Sequence, residues 1–442
     1  MTRALVLAAA VGGMALSACD TRPPVGRDIE AANPCLIDAS VTPRRVTILA
    51  ARFPATEHFA REMQACSHPP LLTIDVQMLP PEQVKRQADL AMSSGAASPF
   101  DIIHVNPDKV AEQAAKGWVY PLDALVERYR DRYRLDDIPS SFWQPFRFGE
   151  HLYAVPFIGN VQVLFYRRDL FERYGQTPPR TVEEWYAVAD RLSHVPEVRY
   201  PLALALRGGL LTQEFSNALM VSGGRWYDEH GDPAFASLAG VHAVEMLARL
   251  RDFGPRAMLS FTNDDAMVAL LQNQVAMANI WLSRGVEMGN PLISNVIGKI
   301  AYAASPGLTP DGVPYGSLGF DGWVIPANAP NPDLAFRIIM EGSDAASMLG
   351  AASFGVAARR SVAEADDVIR DAPWLPAGSV NLARGATALP AVATFSRMAT
   401  AIQPALARGL ADRLPATVIV SEMNQAARRL LDEQRSFPLR RP

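Results

Sequence analysis

The sequence predicts an α/β fold built as two lobes. Three β-rich runs, at residues 46–50, 72–76 and 101–105, are each followed by a helical stretch. Repeated strand–helix units of this length are typical of a parallel sheet with helices on its faces. The 442 residues favour two lobes over one, and a 49% hydrophobic content excludes a disordered chain. The 35 prolines argue against a helical bundle.

The individual elements follow from local patterns. Helices are predicted at 55–65 and 82–92, and a third begins at 106–108 and runs through Lys116, with Asp108 as its expected N-cap. Residues 162–166 form a compact apolar run that predicts a buried strand. Apolar spacing predicts the remaining elements, which are helices at 168–174, 182–192 and 239–251 and a strand at 275–280.

Charge and cysteine content exclude several classes of protein. Lys+Arg 42 against Asp+Glu 46 gives a net charge of −4, and the chain has only four lysines. A nucleic-acid binder normally carries a basic stripe, so no nucleic-acid partner is expected. Three cysteines are too few for a disulfide-built fold or a four-cysteine zinc site.

Motifs for catalysis, metals and cofactors are weak in this sequence. It contains neither a dinucleotide-binding nor a P-loop glycine motif, and its seven histidines lack metal-ligand spacing. We therefore expect no metal and no cofactor. Residues 351–355 faintly resemble a nucleophile elbow around Ser353, but a serine in a helix-turn is the commoner reading. Asp264 and Asp265 are interpreted as first-turn residues of a helix.

The N-terminus is typical of an exported protein. Arg3 and an apolar run at 4–15 precede the sequence LSAC at 16–19, which resembles a lipobox. This predicts a signal peptide over 1–18, lipidation of Cys19 and a tether over 19–42. The alternative is a buried N-terminal helix. After export, Cys35 and Cys66 would form a disulfide or remain as two free buried thiols.

Several segments together resemble the extracellular solute-binding proteins of ABC transporters, specifically the carbohydrate binders of family 1. Each match is short, but they occur in the family's order. The segments are PFDIIHV at 99–105 with GWVYPLD at 117–123, GEHLYAVP at 149–156 with LFYRRDLF at 164–171, PPRTVEEW at 178–185, LQNQVAMA at 271–278 and GWVIPAN at 322–328.

The resemblance implies a two-lobe, periplasmic-binding-protein-like (type II) fold with a cleft between the lobes. Lobe one is expected to comprise 43–156 plus 305–345, and lobe two 157–304 plus 346–442. The hinge is expected at 157–159 and 303–307, where small residues and prolines suit a chain that changes its backbone angles.

Twelve residues are candidate ligand contacts. Arg52 and Phe53 follow the first predicted strand, and Asn106 and Asp108 follow the third. Ligands bind beyond the carboxyl ends of strands in open α/β sheets. Others lie near the crossing or in segments similar to the family's, and aromatic rings would cover sugar faces while polar groups bind hydroxyls. The candidates are Arg52, Phe53, Asn106, Asp108, Asn160, Gln162, Trp226, Trp281, Phe320, Asp321, Trp323 and Arg359.

Each of five candidates also has an ordinary structural interpretation. Asp108 could serve only as an N-cap, and Trp281 and Trp323 could lie in the core. Trp226 could pack a loop, and Arg359 could bind a helix C-terminus.

The resemblance implies a binding protein rather than an enzyme. It would capture a carbohydrate or polyol and deliver it to the transmembrane subunits of an ABC permease, held by its lipid on the outer face of the cytoplasmic membrane. The alternatives are the same fold with a non-sugar cargo such as a glycerophosphodiester, and a secreted α/β hydrolase. Arg52 and Arg359 both pointing inward would favour an anionic cargo.

Overall fold

The structure is a computed structural model that describes Cys35, Ile37 and residues 44–390, 392 and 394–436. The predicted signal peptide, Cys19 and all of the tether except Cys35 and Ile37 lie outside the described residues. Within the described part, no helix has the length and apolar character needed to cross a membrane.

Twelve strands are present in the described part of the chain, and they include every strand that the sequence predicts. The first three keep their predicted positions to within a few residues, whereas the run at 162–166 belongs to a strand of 14 residues. The strands are β1 (Arg44–Ala51), β2 (Leu72–Leu79), β3 (Ile102–Val105), β4 (Arg147–Phe148), β5 (His151–Leu152), β6 (Ala154–Arg167), β7 (Tyr200–Ala203), β8 (Val275–Trp281), β9 (Ile300–Ala303), β10 (Ser317–Val324), β11 (Val356–Ala357) and β12 (Thr387–Ala388).

The helices also confirm the sequence patterns. They are α1 (Pro54–Gln64), α2 (Pro81–Ser93), α3 (Pro107–Ala115), α4 (Asp123–Tyr129), α5 (Ser140–Trp143), α6 (Arg168–Arg173), α7 (Val182–Ser193), α8 (Gly209–Val221), α9 (Leu238–Asp252), α10 (Asn263–Leu271), α11 (Pro332–Glu341), α12 (Ala345–Gly350), α13 (Arg360–Ala363), α14 (Asp366–Asp371), α15 (Leu375–Ala383), α16 (Phe395–Ala411) and α17 (Ala416–Ser436). Short 3-10 helices cover Leu135–Asp137, Gln144–Phe146, Arg256–Ser260, Leu282–Gly289 and Ala352–Phe354.

Helix starts show why these segments fold locally. Thr181 caps α7 and Thr262 caps α10, each in a capping box with the acidic residue three positions later. Asp264 and Asp265 lie in the first turn of α10, as predicted. The prediction for α3 was wrong in one detail: its N-cap position is held by Asn106, and Asp108 lies inside the first turn, because Pro107 takes the first helical position.

The sheet has a parallel part and an antiparallel part. Its strand order is β2-β1-β3-β10-β6-β8-β7, in which β1 pairs in parallel with β2 and β3. Strand β10 returns antiparallel between β3 and β6. Strand β7 pairs in parallel with β8 at the other end of the order. These pairings are those of an α/β protein with two sheet regions. The first sheet region comprises β2, β1, β3, β10 and the first part of β6, and the second comprises the rest of β6 with β8, β7 and β9.

Strand β6 is common to both sheet regions. Its first part pairs with β10 up to Val161, and from Gln162 onward it pairs with β8. The partner therefore changes between Val161 and Gln162, just beyond the expected hinge at 157–159. The segment from β9 to β10 makes the return crossing and begins at Ala304, within the expected 303–307.

The segment after residue 345 lies partly on the first sheet region. Strand β11 pairs with Gly159 and Ile158 of β6, and α12 packs against α1. The expected domain division assigned everything from 346 onward to lobe two. In the structure it is α16 and α17 that pack with α8 and α9 there.

A disulfide joins Cys35 to Cys66. Cys66 is 1% exposed and follows α1, so the bond attaches the segment before β1 to the core of the first sheet region.

Candidate functional site

A cavity of about 590 Å³ lies at the point where β6 changes partner, and we call it the crossing cavity. Its described lining residues are all uncharged. They are Pro107, Ser141, Phe142, Gln144, Pro145, Gly159, Asn160, Val161, Leu318, Phe320, Val356, Leu382, Ala386, Ala388 and Leu389. Two of the predicted contacts, Asn160 and Phe320, are among them.

Two phenyl rings form the aromatic wall of the crossing cavity. Phe142 and Phe320 meet edge to face, with ring centroids 5.2 Å apart and planes at 76°. Gly159 makes this possible, because a Cβ there would lie 3.1 Å from the Phe142 ring. The paired rings offer an apolar surface of the kind that packs on the C–H face of a sugar.

Asn160 supplies a fixed amide to the same cavity. Its Nδ2 donates to Ser283 Oγ at 3.0 Å, and its Oδ1 accepts from the Ser283 backbone N–H at 3.3 Å. An amide group has two N–H donors and two carbonyl lone pairs, so one of each remains for a ligand. Ser141 and Gln144 bring further hydroxyl and amide groups to the lining.

Gln162, a predicted contact, is fully buried and is engaged with the protein instead of the cavity. Its Nε2 donates to Glu214 Oε1 at 2.8 Å, and its Oε1 accepts from Asn217 Nδ2 at 2.7 Å and from the Ser317 backbone N–H at 2.9 Å. Burial raises the pKa of Glu214 to about 7, and hydrogen bonds from Gln162 and its neighbours partly oppose this shift. Gln162 therefore connects α8 to both sheet regions.

The backbone carbonyl of Gln162 extends this buried polar cluster. It accepts from Asn381 Nδ2 at 2.7 Å and from Ser305 Oγ at 3.3 Å. Ser305 Oγ also lies 2.7 Å from Asn279 Oδ1. The cluster thus joins β6, the return crossing, β8 and α15 at one point.

Asn106 and Asp321 bind each other on the first sheet region. Asn106 Nδ2 donates to Asp321 Oδ1 at 2.8 Å and to the Phe320 carbonyl at 3.1 Å. His104 Nε2 lies 3.0 Å from the same carboxylate oxygen. These bonds fix the end of β3 against β10 and thereby hold Phe320 at the cavity, so both residues act as supports.

Arg52 and Phe53 lie at the end of β1, as predicted, but their contacts are within the protein. Arg52 is exposed and donates to the Met78 carbonyl at 3.1 Å, and the Phe53 ring packs edge-on against His104 at 5.4 Å.

Trp323 is fully buried and stacks on Phe157 at 5.0 Å. Its place is the core, the alternative that the sequence left open.

Arg359 is 4% exposed, and its guanidinium binds the protein itself. It donates to the carbonyls of Ser343, Arg134 and Tyr133 at 3.0–3.2 Å. Burial lowers its pKa, and Asp137, whose Oδ2 lies 3.9 Å away, partly opposes this. This side chain joins the end of α11 to the segment after α4.

The other two tryptophans among the predicted contacts, Trp281 and Trp226, belong to the second sheet region and the helices packed on it. Trp281 is half-buried at the end of β8, and a Cβ on Gly319 would lie 3.1 Å from its ring. Trp226 is 3% exposed and lines a second cavity of about 510 Å³.

Sequence reasoning missed most of the cavity lining. One missed segment consists of α5, with Ser141 and Phe142, and the 3-10 helix that follows it, with Gln144. The other follows α15 and contributes Ala386, Ala388 and Leu389. Neither segment follows a predicted strand or carries a motif. The sequence signal was the pair of phenylalanines, Phe142 and Phe146, within residues 139–146, but nothing in the sequence placed them beside β6.

Residues 70–339 match the family profile of the bacterial extracellular solute-binding proteins. The chain belongs to this family. The match covers strands β2 to β10 and most of the lining of the crossing cavity.

Curated relatives align with a limited part of this chain. A mannitol-binding protein of Pseudomonas aeruginosa is 29% identical over 185 residues, which cover 39% of this chain and 40% of the relative. A probable ABC transporter-binding protein of Deinococcus radiodurans is 28% identical and aligned over 41% of this chain and 44% of its own length. The chain thus spans about two fifths of the curated relatives that it matches.

Solved structures show the same fold over almost the whole length of this family member. T. maritima MalE3 with bound maltose superposes with a TM-score of 0.77 at 19% identity, covering 87% of this chain and 99% of that one. A solute-binding protein from Agrobacterium radiobacter K84 in complex with ribitol gives 0.76 at 20% identity, covering 89% and 99%. The predicted two-lobe α/β fold is confirmed by these likenesses.

The environment of Ser353 does not favour a nucleophile. Ser353 lies in the 3-10 helix Ala352–Phe354, and His58, whose ring lies beside Gly350, directs its Nε2 to the Ser347 carbonyl at 2.7 Å. A general base for serine must reach the hydroxyl itself.

Proposed function

We propose that this protein is the solute-binding component of an ABC importer and that it captures a neutral sugar or polyol in the crossing cavity. The observation that supports this most directly is the lining: two phenyl rings, an oriented amide and further hydroxyl and amide groups, with no charged side chain among its described residues. It binds and releases its solute and makes no covalent bonds.

The lining suits the chemistry of such a solute. A sugar or polyol has apolar C–H faces, which pack on Phe142 and Phe320, and hydroxyls that pair with Asn160, Gln144 and Ser141. An anionic cargo such as a glycerophosphodiester would lose its hydration here without gaining a cation. Arg52 and Arg359, the two candidates for that cation, bind backbone carbonyls of the protein.

Capture depends on the two sheet regions that share β6. A solute that contacts both regions binds the closed arrangement more tightly than the open one, and this difference in affinity shifts the population toward closure. The closed protein would then dock on the transmembrane subunits of the importer.

Relatives support the substrate class and the location. The curated relative in Pseudomonas aeruginosa is named for mannitol, and solved neighbours hold ribitol, D-mannitol and alpha-D-tagatose. We further propose that the protein is exported and anchored through lipid on Cys19 to the outer face of the cytoplasmic membrane, with residues 19–42 as its tether.

Calorimetric titration of the purified protein with ribitol, mannitol, tagatose and maltose tests the proposal. We expect at least one of them to bind and to raise the melting temperature. Asn160→Ala and Phe320→Ala should each weaken that binding roughly fivefold or more, since each removes a cavity contact worth about 1–3 kcal/mol.

Asn295→Ala is the matched control, because Asn295 is exposed and bonds to Gln272 on the surface of α10. Its affinity should equal that of the wild type. Binding of glycerophosphodiesters or amino acids, with no response to any neutral sugar or polyol, would show that the proposed cargo is wrong.

A further inference from the structure

A second cavity of about 510 Å³ adjoins the crossing cavity, and we call it the Arg225 cavity. Ala386 and Ala388 line both cavities, so two methyl side chains belong to the wall that the cavities share. Each cavity falls within the range of about 300–1,000 Å³ that is usual for small-molecule sites. Together they offer more room than a single sugar unit requires.

The walls of the Arg225 cavity are rigid. The Trp226 indole donates through Nε1 to Ser216 Oγ at 2.5 Å, and both residues line the cavity. Edge-to-face contacts with Phe395 at 5.0 Å and Phe215 at 5.6 Å hold the indole from behind. The Trp226 indole, which is 3% exposed, and the half-buried phenol of Tyr227 give this cavity an aromatic wall.

The two cavities differ in charge. Among the described residues that line either of them, Arg225 is the only charged one, and its side chain is exposed. Asp228 is close enough for Arg225 to contribute to the lowering of its pKa, behind larger contributions from backbone hydrogen bonds. A guanidinium in a wall of this kind can bind a carboxylate with two parallel hydrogen bonds.

We propose that the ligand has two units: a neutral sugar or polyol unit in the crossing cavity, and a second unit in the Arg225 cavity that carries a carboxylate. This inference rests on the proposed function and extends it, because the neutral sugar or polyol of the crossing cavity becomes one unit of a two-unit glycoside whose acidic unit lies in the Arg225 cavity. The neutral unit contacts Phe142, Phe320 and Asn160, and the second unit packs on Trp226 with its carboxylate on Arg225.

Matched pairs of disaccharides test this inference. Calorimetric titration would compare maltose, cellobiose and lactose with the corresponding disaccharides in which one ring carries a uronic carboxylate in place of its CH2OH group, with mannitol and ribitol as one-unit probes. We expect the acid of at least one pair to bind roughly tenfold more tightly than its neutral partner. This preference should shrink when salt is raised from about 0.05 M to about 0.5 M, since the Arg225 guanidinium is exposed.

Arg225→Gln should abolish the preference for the acid, so that acid and neutral partner bind about equally tightly to the variant. Arg207→Gln is the control. Arg207 is also exposed, but it lies before the start of α8, whereas Ser216 and Met220, which line the Arg225 cavity, lie further along that helix. The Arg207→Gln variant should prefer the acid as strongly as the wild type does.

Equal binding of acid and neutral partner, or tighter binding of the one-unit probes than of every acid, overturns the two-unit inference and leaves the proposed function standing. Failure of every neutral and acidic probe to bind overturns both.

Discussion

Glu214 is a fully buried carboxyl group whose neighbours are amides and a phenol. Gln162 donates to it, and Tyr315 and Asn217 also bond to it. Because these groups carry no positive charge, burial decides its titration and raises its pKa from 4.5 to about 7. A carboxyl group that is largely protonated below pH 7 therefore lies where β6 changes partner.

Replacement of this carboxyl should change how stability depends on pH. Between pH 4.5 and 7 the folded state retains a proton on Glu214 that the unfolded chain releases, so its contribution to stability is complete below pH 4.5 and falls by about 3 kcal/mol as pH rises to 7. Glu214→Gln cannot titrate. The free energy of unfolding of the wild type, measured relative to this variant by urea titration, should therefore decline across that window.

The control is Glu245→Gln, at an exposed position of α9, which should follow the wild type at every pH. A constant difference between wild type and Glu214→Gln from pH 4.5 to 7.5 would contradict the proposed titration.

At the scale of elements, β11 and β6 come closer than side chains would allow. A Cβ on Gly355 would lie 2.5 Å from the carbonyl oxygen of Gly159 and 2.8 Å from the Ile158 side chain. Glycine at 355 lets β11 pair with β6 and brings Val356 to the crossing cavity. The path of the segment after α12 thus depends on glycine at position 355.

Gly355→Ala should destabilise the protein by roughly 1–3 kcal/mol, since the backbone of β6 must shift to admit the methyl group. A lower urea midpoint at unchanged slope would report this loss. Gly289→Ala is the matched change at a site where nothing lies within 4 Å, and it should leave the midpoint in place. If the two variants unfold at the same midpoint, the close approach is not a constraint.

At the scale of the whole molecule, one strand and a buried polar cluster connect the two sheet regions. Strand β6 pairs with β10 in one region and with β8 in the other. The cluster around Gln162 adds hydrogen bonds to the return crossing and to α15. The crossing cavity is placed beside these connections, where a bound solute can influence both regions.

The disulfide between Cys35 and Cys66 should stabilise the whole molecule. It closes a loop with a sequence separation of 31, and the chain-entropy model assigns such a loop about 3–4 kcal/mol. The variant Cys35→Ala/Cys66→Ala should unfold at lower urea than the oxidised wild type. Adding reductant to the unfolding experiment should lower the wild-type midpoint and leave the variant unchanged. A midpoint shared by all three samples would show that the disulfide contributes nothing.

Local sequence determined the elements of this protein and the family to which it belongs. Strand runs such as 46–50 and 72–76 and the helix at 182–192 were predictable, because apolar periodicity and capping act within a few residues. Asn160 and Phe320 could be predicted as ligand contacts because their segments resemble the family's, and both line the crossing cavity.

Only the tertiary structure decided which polar side chains reach a cavity. Gln162 and Arg359 resemble ligand contacts in the sequence, yet each has its hydrogen-bonding capacity taken up by groups far along the chain. Phe142 and Ala388 line the cavity from segments without a motif. The physical reason is that the burial of a side chain and its hydrogen-bond partners depend on which distant segments come into contact. A local sequence pattern contains no information about those contacts.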